Sequence, residues 1–500
     1  KYKMSIHKKQ IILLMTDATR QDMIGCYGNP QMHTPNLDNL AENGIRFQNA
    51  YTCQPVCGPA RSALFTGLYP HSNGSLANNI PLGANVKTIG QRLSDNGIHT
   101  AYIGKWHLDG SDYFGLGSCP DGWDSEYWYD MRCYLEELTE EERIISRRSD
   151  TRFQNISADF TYGHRCADRA IDFLQKYGEE EFFLTVSLDE PHDPGLCPEP
   201  YASMFNDYEF PKSPNVWDTL EGKPQYQKYW AGESLKKDRD AIKLKVPGFF
   251  GCNAFADSEI GRVLACIHEY APDALILYTS DHGDGLESHC LNAKGPVIYN
   301  EIARIPLLIA GPDIPKGLVN TNPVSHINIP SLILEYMGIP IPKCFEGKSL
   351  LPEVYNPQIR TNDYIVTEFT RYEIDHDGFG GIQMMRAIYD GRYKLAIHLL
   401  DTIDEFYDQE TDPYEMKNQI WNNDYDTEKV RLHQLLLDWM NTTRDPFRGY
   451  QWEYRPWRKD LPDPTWNYTG YTRQRENEEY EPRQLDYVTG LPMKEATRRK

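Results

Sequence analysis

The chain has 500 residues, of which 40% are apolar and 25% are charged, and its formal net charge is −21. These fractions are typical of a globular protein with a large core, and they exclude a disordered, collagen-like or coiled-coil chain. The negative net charge argues against nucleic acid as a partner, because cationic side chains dominate binding to a phosphate backbone.

Eleven cysteines are scattered from Cys26 to Cys344 without a repeated spacing. In so long a chain, this usage predicts reduced thiols rather than a disulfide framework. No apolar run has the roughly 20 residues of a membrane span or the about 7–15 residues of a signal-peptide core. We therefore expect a cytoplasmic protein that has no membrane partner.

The first part of the chain alternates strand patterns with helix patterns. Continuous apolar runs predict buried strands at residues 10–15, 99–104, 182–188 and 274–279. Helical spacing predicts helices at 34–44, 86–96 and 256–267, the first with a first-turn proline and a terminal glycine. The alternation predicts an α/β fold in which a large mixed, mostly parallel sheet is sandwiched by helices.

The pattern changes after residue 360, so residues 1–360 are predicted to form the catalytic α/β domain. Strand patterns at 363–369, 384–389 and 393–398 follow, and the last two are joined by the hairpin signal Asp390-Gly391. With an amphipathic helix at 427–441, they predict a C-terminal subdomain over 361–445 with a small antiparallel sheet. Residues 446–500 lack a sustained periodicity and are predicted to form an extended C-terminal arm.

Polar residues follow three of the predicted strands where each strand ends. These residues are Asp17, His192 and the pair Asp281-His282. In doubly wound sheets, ligands bind outside the carboxyl ends of the strands. The sequence therefore predicts a functional site at this edge.

The strongest motif lies at residues 57–61, which read Cys-Gly-Pro-Ala-Arg and continue to Thr66-Gly67. It resembles the signature of the formylglycine-dependent sulfatases, arylsulfatase-like members of the alkaline phosphatase superfamily. In that family the cysteine is oxidised to an aldehyde after translation, which points to Cys57. Cys53 begins a similar pattern but lacks the arginine that Arg61 supplies. The alternative for Cys57 is a buried, inert thiol.

The resemblance implies a metal site formed by Asp17, Asp281 and His282 beside Cys57. Carboxylates with one imidazole suit a hard divalent cation; Ca²⁺ is the usual ion of the family, and Mg²⁺ and Mn²⁺ stay open. Many sulfatases carry a second acid directly after the first, where this chain has Ala18. A water or a side-chain oxygen such as that of Gln21 is then expected to complete the site.

Residues 104–107 read Gly-Lys-Trp-His and resemble a second family motif, in which the lysine binds sulfate and the histidine contacts the formylglycine hydroxyl. Alternate residues of a strand share a face, so we expect Lys105 and His107 to face one ligand. His192 resembles the substrate-side histidine of the family, and Lys294 resembles its second sulfate-binding lysine. For His289, a functional and a structural role stay open.

The resemblance also implies a mechanism. The metal lowers the pKa of the attacking hydroxyl of hydrated formylglycine. Lys105, Lys294 and the metal hold the sulfuryl oxygens, while Arg61 stabilises the diol side. His192, with Lys294, protonates the leaving oxygen, and His107 acts as the base that regenerates the aldehyde.

The smaller domain of this family often supplies contacts to the leaving group. Residues 368–381 mix charge, aromatic rings and glycine, so Arg371, His376 and Asp377 are candidate substrate-binding residues, with a plain surface loop as the alternative. The arm carries many aromatic residues that need a partner surface on the same chain or on another subunit. We expect a homo-oligomer, either a dimer or a tetramer.

The sequence therefore predicts a sulfuric ester hydrolase that cleaves aryl, steroid or carbohydrate sulfate monoesters after activation by a formylglycine-generating maturase. One alternative is a phosphonate monoester or phosphodiester hydrolase of the same superfamily, which shares the nucleophile and metal ligands. Those relatives tend to carry hydroxyl side chains in place of Lys105 and His107. Another alternative is an inactive anion-binding protein with an unmodified Cys57.

Overall fold

A computed structural model of the protein describes residues 8–110, 113–148, 155–373 and 381–461. The strands in these ranges are β1 Gln10–Thr16, β2 Gly44–Tyr51, β3 His99–Gly104, β4 Phe182–Ser187, β5 Leu275–Ser280, β6 Arg304–Ile305, β7 Leu307–Ala310, β8 Leu318–Ser325, β9 Ile365–Phe369, β10 Met385–Tyr389, β11 Tyr393–His398 and β12 Glu405–Asp408. The α-helices are α1 Pro35–Glu42, α2 Cys57–Thr66, α3 Pro70–Asn73, α4 Ile89–Ser94, α5 Met131–Glu137, α6 Glu140–Ser146, α7 Tyr162–Tyr177, α8 Tyr201–Met204, α9 Gln225–Ala231, α10 Pro247–Tyr270, α11 Asn300–Ala303, α12 Asn328–Met337, α13 Leu351–Tyr355 and α14 Asp426–Thr442.

The larger sheet has the strand order β3-β4-β1-β5-β7-β2-β6, with β8 paired to β2. Strands β3, β4, β1 and β5 are mutually parallel, and β8 is parallel to β2. Strand β7 is antiparallel to both β5 and β2, so the sheet is mixed but mostly parallel. The predicted architecture of this sheet is confirmed.

Helices cover both faces of the larger sheet, and β1 shows why its sequence is apolar throughout. Ile12 and Leu14 belong to a core that includes side chains of α1, α7 and α10. Ile11 and Leu13 point to the opposite core, which includes side chains of α2, α4 and α12. Because successive side chains of a strand face opposite sides, a strand covered on both faces needs apolar residues at every position.

The smaller sheet is antiparallel, with the order β12-β11-β10-β9. Leu432 and Leu436 of α14 pack with Val366, Ile388 and Leu395 of this sheet. The antiparallel sheet and its covering helix agree with the predicted fold class. The division of the chain at residues 360 and 445 stays a prediction.

The beginning of the predicted C-terminal arm packs against its own chain. Trp452 and Trp457 are buried in the core that α14 forms with the small sheet. The Trp457 ring nitrogen donates to Asp404 Oδ2 at 2.8 Å, and Arg455 donates to both oxygens of the same carboxylate. Residues 462–500 lie outside the described part of the chain. Among the described helices, none combines the length and apolar character needed to cross a membrane.

Candidate active site

Two neighbouring strands and one helix bring the predicted site residues together. Strands β1 and β5 pair in parallel up to Thr16 and Ser280, so Asp17 and Asp281 leave the sheet side by side. Cys57 is the first residue of α2, which follows β2 after a short loop. The residues therefore meet at the carboxyl edge of the larger sheet, where the sequence placed the site.

Asp17, Cys57, Asp281 and His282 form a buried cluster whose ligand atoms all lie within 4.8 Å of one another. The Cys57 Sγ lies 3.1 Å from His282 Nε2 and 3.8 Å from Asp17 Oδ1. The other ring nitrogen of His282 is 2.8 Å from the Gly283 carbonyl oxygen. A carbonyl only accepts, so Nδ1 carries a proton and Nε2 is the ring nitrogen that faces the cluster. This donor set fits a divalent cation.

Arg61 orients both carboxylates of the cluster. Its Nε lies 3.1 Å from Asp281 Oδ2, and its Nη2 lies 3.2 Å from Asp17 Oδ2. The guanidinium also donates to the Lys105 carbonyl oxygen at 2.7 Å and is fully buried. One oxygen of each carboxylate is thereby held by Arg61 while the Oδ1 atoms lie near His282. In the structure, Arg61 binds the carboxylates beside Cys57, and its predicted role at the diol side stays a prediction.

Lys105 and His107 lie beyond β3 and not on it, so the prediction that strand alternation aligns them is wrong. The strand ends at Gly104, where φ is +115° and an added Cβ would lie 1.9 Å from the Ser187 carbonyl oxygen. His107 has a left-handed backbone with φ 61°. A turn that only glycine tolerates redirects the chain, and the two side chains approach the site from a loop.

Lys105 makes two ion pairs and contacts one aromatic ring. Its Nζ lies 2.7 Å from Asp17 Oδ2 and 3.0 Å from Asp189 Oδ1. The same nitrogen lies 4.0 Å from the centroid of the Tyr113 ring, and the Tyr113 hydroxyl donates to Asp189. Sequence reasoning missed both residues. Asp189 directly follows a predicted strand and could have been found on that signal, but Tyr113 lies in a stretch without a pattern.

Lys294 lies between the nucleophile position and His192. Its Nζ is 3.1 Å from Cys57 Sγ and 3.4 Å from His192 Nε2. The His192 Nδ1 lies 3.1 Å from the Asp193 carbonyl oxygen and 3.2 Å from the Tyr113 hydroxyl. Because the carbonyl must accept, Nδ1 is protonated and Nε2 accepts from the Lys294 ammonium.

The electrostatics of the cluster favour bound negative charge. Burial alone would raise the pKa of Asp17, but Lys105, His192 and Lys294 hold it well below its usual range. The pKa of the Cys57 thiol is also well below its ordinary value, although burial and Asp17 oppose this, because Lys294 and Lys105 are close. Two buried ammonium groups therefore stabilise an anion at the position of Cys57.

His107 lies beside the loop that contacts the start of α2. Its Nε2 is 3.3 Å from Asn79 Oδ1, and Asn78 accepts a hydrogen bond from the Gly58 backbone at 2.8 Å. Burial, followed by the charge of Lys105, lowers the pKa of His107 to about 3. The ring is therefore neutral at pH 7.

The position after Asp17 contributes only backbone to the cluster. Ala18 has φ 60°, and its N–H lies 3.2 Å from Asp281 Oδ1. The Gln21 side-chain amide donates to the carbonyl oxygens of Gln48 and Ile305, at 3.1 and 2.8 Å. These bonds use the amide nitrogen and hold the side chain at β2 and β6, so completion of the metal site by the Gln21 oxygen stays a prediction.

The segment after β9 runs beside the His107 loop. The Asn78 N–H donates to the Tyr372 carbonyl oxygen at 2.8 Å, and the Asn79 amide donates to Glu373 Oε1 at 2.5 Å. Arg371 is half-buried next to them. The sequence did not single out the two asparagines, Tyr372 or Glu373. His376 and Asp377 lie outside the described residues.

His289 belongs to a separate buried network. Its Nδ1 lies 2.6 Å from Asp218 Oδ2, its Nε2 accepts from the Asn215 amide at 3.2 Å, and its ring stacks on Tyr299 at 3.8 Å. Both ring nitrogens are hydrogen-bonded within the protein. These contacts favour the structural role for His289.

A buried carboxylate and imidazole donor set, next to a nucleophile position and two lysines, defines a class of protein. This class is the metal-dependent hydrolases that act on anionic esters. A family model described as "Sulfatase" matches residues 9–339, and one described as "N-sulphoglucosamine sulphohydrolase, C-terminal" matches residues 292–442. The chain belongs to the sulfatase family, and the enzyme is a sulfuric ester hydrolase.

Individual relatives agree with this assignment. The chain is 41% identical to the uncharacterized sulfatase YidJ of Escherichia coli strain K12, and the match covers 97% of each chain. It is 24% identical to the N-acetylglucosamine-6-O-sulfatase of Bacteroides thetaiotaomicron over 88% of this chain and 87% of that one. A solved structure in complex with D-glucosamine-2-N,6-O-disulfate, described as its substrate, has a TM-score of 0.71 at 23% identity, covering 88% and 99% of the two chains. The phosphonate monoester hydrolase of Agrobacterium radiobacter has a TM-score of 0.69 at 20% identity, covering 87% and 96%.

Proposed function

We propose that this sulfatase removes sulfate from saccharides, and that it uses a formylglycine made from Cys57 together with one divalent cation. The observation that carries the proposal is the position of Cys57 Sγ, 3.1 Å from both Lys294 Nζ and His282 Nε2. A saccharide is favoured over an aryl or steroid leaving group because the chain resembles an N-acetylglucosamine-6-O-sulfatase and a protein solved in complex with D-glucosamine-2-N,6-O-disulfate as its substrate. The C-terminal family model also bears the name of a sulfated-sugar hydrolase.

Cys57 is the residue that a formylglycine-generating maturase would oxidise. It starts α2, so its side chain lies at the positive end of the helix dipole and beside the carboxylate cluster. Cys53 is also buried, but burial raises the pKa of its thiol to about 12, and its Sγ lies 3.5 Å from Ser325 Oγ. The two cysteines thus differ in their surroundings as well as in their motifs.

The divalent cation would be held by Asp17, Asp281 and His282, with the side chain of residue 57 as a further ligand. Oxygen-rich ligands favour Ca²⁺, with Mg²⁺ and Mn²⁺ as the other candidates. When bound, the cation would polarise the sulfate ester and lower the pKa of the hydroxyl that attacks it. Arg61 keeps both carboxylates oriented by binding their outer oxygens.

The protein's own groups divide the remaining work. The Lys105 and Lys294 ammonium groups are placed to hold the sulfuryl oxygens, where negative charge concentrates. The Lys294 ammonium donates to His192 Nε2 across 3.4 Å, and this pair is assigned to protonate the leaving oxygen. His107, neutral because of its low pKa, is placed to accept the proton when sulfate leaves.

The matched pair of cysteines tests the nucleophile. Cys57→Ala is expected to abolish sulfate release, whereas Cys53→Ala keeps it, and peptide mass spectrometry should find the aldehyde only at residue 57. An active Cys57→Ala variant would refute the proposal. An intact thiol at residue 57 after co-expression with a maturase would instead favour the inactive anion-binding alternative.

A second experiment separates sulfatase from phosphonate monoester or phosphodiester hydrolase activity. Replacing Lys105 and His107 together with threonine removes one cation and one base from the substrate side. We expect a much larger loss of kcat/KM on sulfate monoesters than on phosphodiesters. Equal losses on the two substrates would contradict the assigned roles of these residues.

The assembly and the compartment belong to the same proposal. We expect residues 446–500 to support a dimer or tetramer, although Trp452 and Trp457 pack on their own chain. Light scattering of the full chain and of a chain ending at residue 461 tests this, and a full-length monomer would refute it.

All eleven cysteines are free, which agrees with a reducing compartment such as the cytoplasm.

A further inference from the structure

A cation that the assigned mechanism does not use lies on the leaving-group side of the active site. Arg147 directly follows α6 and is exposed to solvent. It lines a small cavity together with Asp189 and His192. Because His192 belongs to the pair assigned to protonate the leaving oxygen, Arg147 lies on the side where the departing saccharide would be bound.

The Tyr113 ring places Arg147 within reach of a substrate at the active site. The Lys105 Nζ lies 4.0 Å from the centroid of this ring, and the Arg147 Cζ lies 5.5 Å from it. The two cationic groups are therefore no farther apart than the sum of these distances, which one sugar residue or a disaccharide spans. The Tyr113 hydroxyl also lies 3.2 Å from His192 Nδ1. A saccharide whose sulfate ester is held by Lys105 can thus reach Arg147 with a further substituent.

Aromatic rings hold the Arg147 guanidinium in place, and no acidic group neutralises it in the described part of the chain. Its Cζ lies 5.0 Å from the centroid of the Phe114 ring, in addition to its contact with Tyr113. Its Nη1 lies 3.7 Å from Met131 Sδ, which is only a weak acceptor. Stacking on aromatic rings orients a guanidinium while its N–H edge stays able to bind an anion through two hydrogen bonds.

Other arginines at the surface are neutralised by carboxylates. Arg262, Arg392 and Arg431 have side chains that are 36%, 46% and 43% exposed, and each forms an ion pair with an acidic residue. Around Phe114 the chain instead brings a second guanidinium, that of Arg132, to 5.6 Å from the ring centroid. In a chain with a net charge of −21, such a local excess of positive charge suits an anionic ligand.

Two acidic residues face the same cavity but leave the solvent side of Arg147 open. Asp189 and Glu190 are only 6% and 7% exposed, whereas Arg147 is an exposed residue. The Asp189 carboxylate is already bound by Lys105 at 3.0 Å and by the Tyr113 hydroxyl. An anion is therefore expected on the solvent side of the guanidinium, next to the cavity and not inside it.

We propose that Arg147 binds a second anionic group of the substrate, a sulfate or a carboxylate, on the saccharide that leaves. The enzyme would thereby select saccharides that carry more than one negative charge. The inference rests on the proposed saccharide sulfatase function. The guanidinium binds two oxygens of the second group, while Lys105 and Lys294 hold the sulfate ester that is cleaved. Arg147 is thus a specificity-determining residue that takes no part in proton transfer.

The test measures binding by isothermal titration to the full chain with Cys57→Ala, which cannot turn over. The first probe is N-acetyl-D-glucosamine 6-sulfate; the second, D-glucosamine 2-N,6-O-disulfate, adds a sulfate, and the third, glucuronate linked to N-acetyl-D-glucosamine 6-sulfate, adds a carboxylate. We expect the second or the third probe to bind at least about tenfold tighter than the first. Arg147→Gln should weaken that probe about 10- to 100-fold and the first probe less than about twofold, because a charge-assisted hydrogen bond is lost.

Two further variants separate the position of the charge from its shape. Arg143→Gln removes the same charge one helical turn earlier, where the exposed Arg143 donates to the Leu135 carbonyl oxygen at 2.6 Å. This control should change the binding of every probe by less than about twofold, because surface charges that do not touch the ligand are screened by solvent. Arg147→Lys keeps the charge without the planar fork and should retain only part of the preference.

Each result decides the matter. Equal affinities of the three probes, no binding of any probe, a preference that survives Arg147→Gln, or an equal effect of Arg143→Gln would overturn the inference. Binding that depends on Arg147, without sulfate release from any probe by the mature enzyme, would refute the proposed function and leave this inference standing. Sulfate release from the first probe, with no gain from a second charge, would do the reverse.

Discussion

Asp189 should control the position of the sulfate-binding lysine although it is not expected to touch the substrate. Lys105 Nζ lies 3.0 Å from Asp189 Oδ1 and 2.7 Å from Asp17 Oδ2, so two carboxylates hold the ammonium between them. In Asp189→Asn, the remaining charge would draw Lys105 toward Asp17, away from the substrate and onto a metal-ligand candidate. The Tyr113 hydroxyl would lose its charged acceptor as well.

The expected loss follows from the energy of one charge-assisted hydrogen bond. Such a bond contributes about 1.5–3 kcal/mol, and each 1.36 kcal/mol of barrier is tenfold in rate. Asp189→Asn should therefore lower kcat/KM about 10- to 100-fold, and Asp189→Glu should recover part of the loss by restoring the charge. We expect no such effect from Asp168→Asn, because that carboxylate is half exposed and pairs with Arg262 on the surface.

The assay is steady-state hydrolysis of a sulfate monoester, with the formylglycine content of each variant matched by peptide mass spectrometry. Thermal melting should first establish that Asp189→Asn is folded. If the folded variant keeps kcat/KM within twofold of the wild type, Asp189 does not position Lys105 for catalysis. If Asp189→Glu is no better than Asp189→Asn, the charge is not what matters.

Three further predictions concern the metal, the pH and one turn. Asp281→Asn should lose both the bound metal and turnover, with the metal content measured by mass spectrometry. Activity that survives exhaustive chelation would contradict this. Burial, and next the charge of Arg458, lowers the pKa of His433 to about 3 in the folded chain. As the pH falls below about 6.5, His433 is therefore protonated in the unfolded chain while it is still neutral in the folded chain. The contribution of neutral His433 to the free energy of unfolding is complete above about pH 6.5 and about 2 kcal/mol smaller at pH 5. In urea unfolding, the free energy of unfolding of His433→Gln should therefore change less between pH 7 and pH 5 than that of the wild type. Gly104→Ala should destabilise the fold by more than Gly74→Ala, because both positions have positive φ but only the first would place a Cβ against backbone; equal losses in denaturation would refute the steric argument.

The sequence by itself determined the four parallel strands β1, β3, β4 and β5 of the larger sheet and the nucleophile motif, but not the other four strands of that sheet. Continuous apolar runs predicted β1, β3, β4 and β5 to within about one or two residues, because a strand covered on both faces needs apolar side chains throughout. The parallel edge also followed from the sequence, since strands alternating with helices send their carboxyl ends to one side. Asp17 and Asp281 could be placed together on that basis.

Only the tertiary structure decided how the cationic groups surround this edge. Lys105 follows a glycine turn whose geometry is dictated by the neighbouring strand β4, which local periodicity does not report. Arg61 lies against two carboxylates that are 44 and 220 positions away in the chain, and Tyr113 reaches Lys105 from a stretch with no pattern. Local sequence encodes which residues are buried in a strand or helix, but contacts between side chains far apart in the chain depend on how the elements pack.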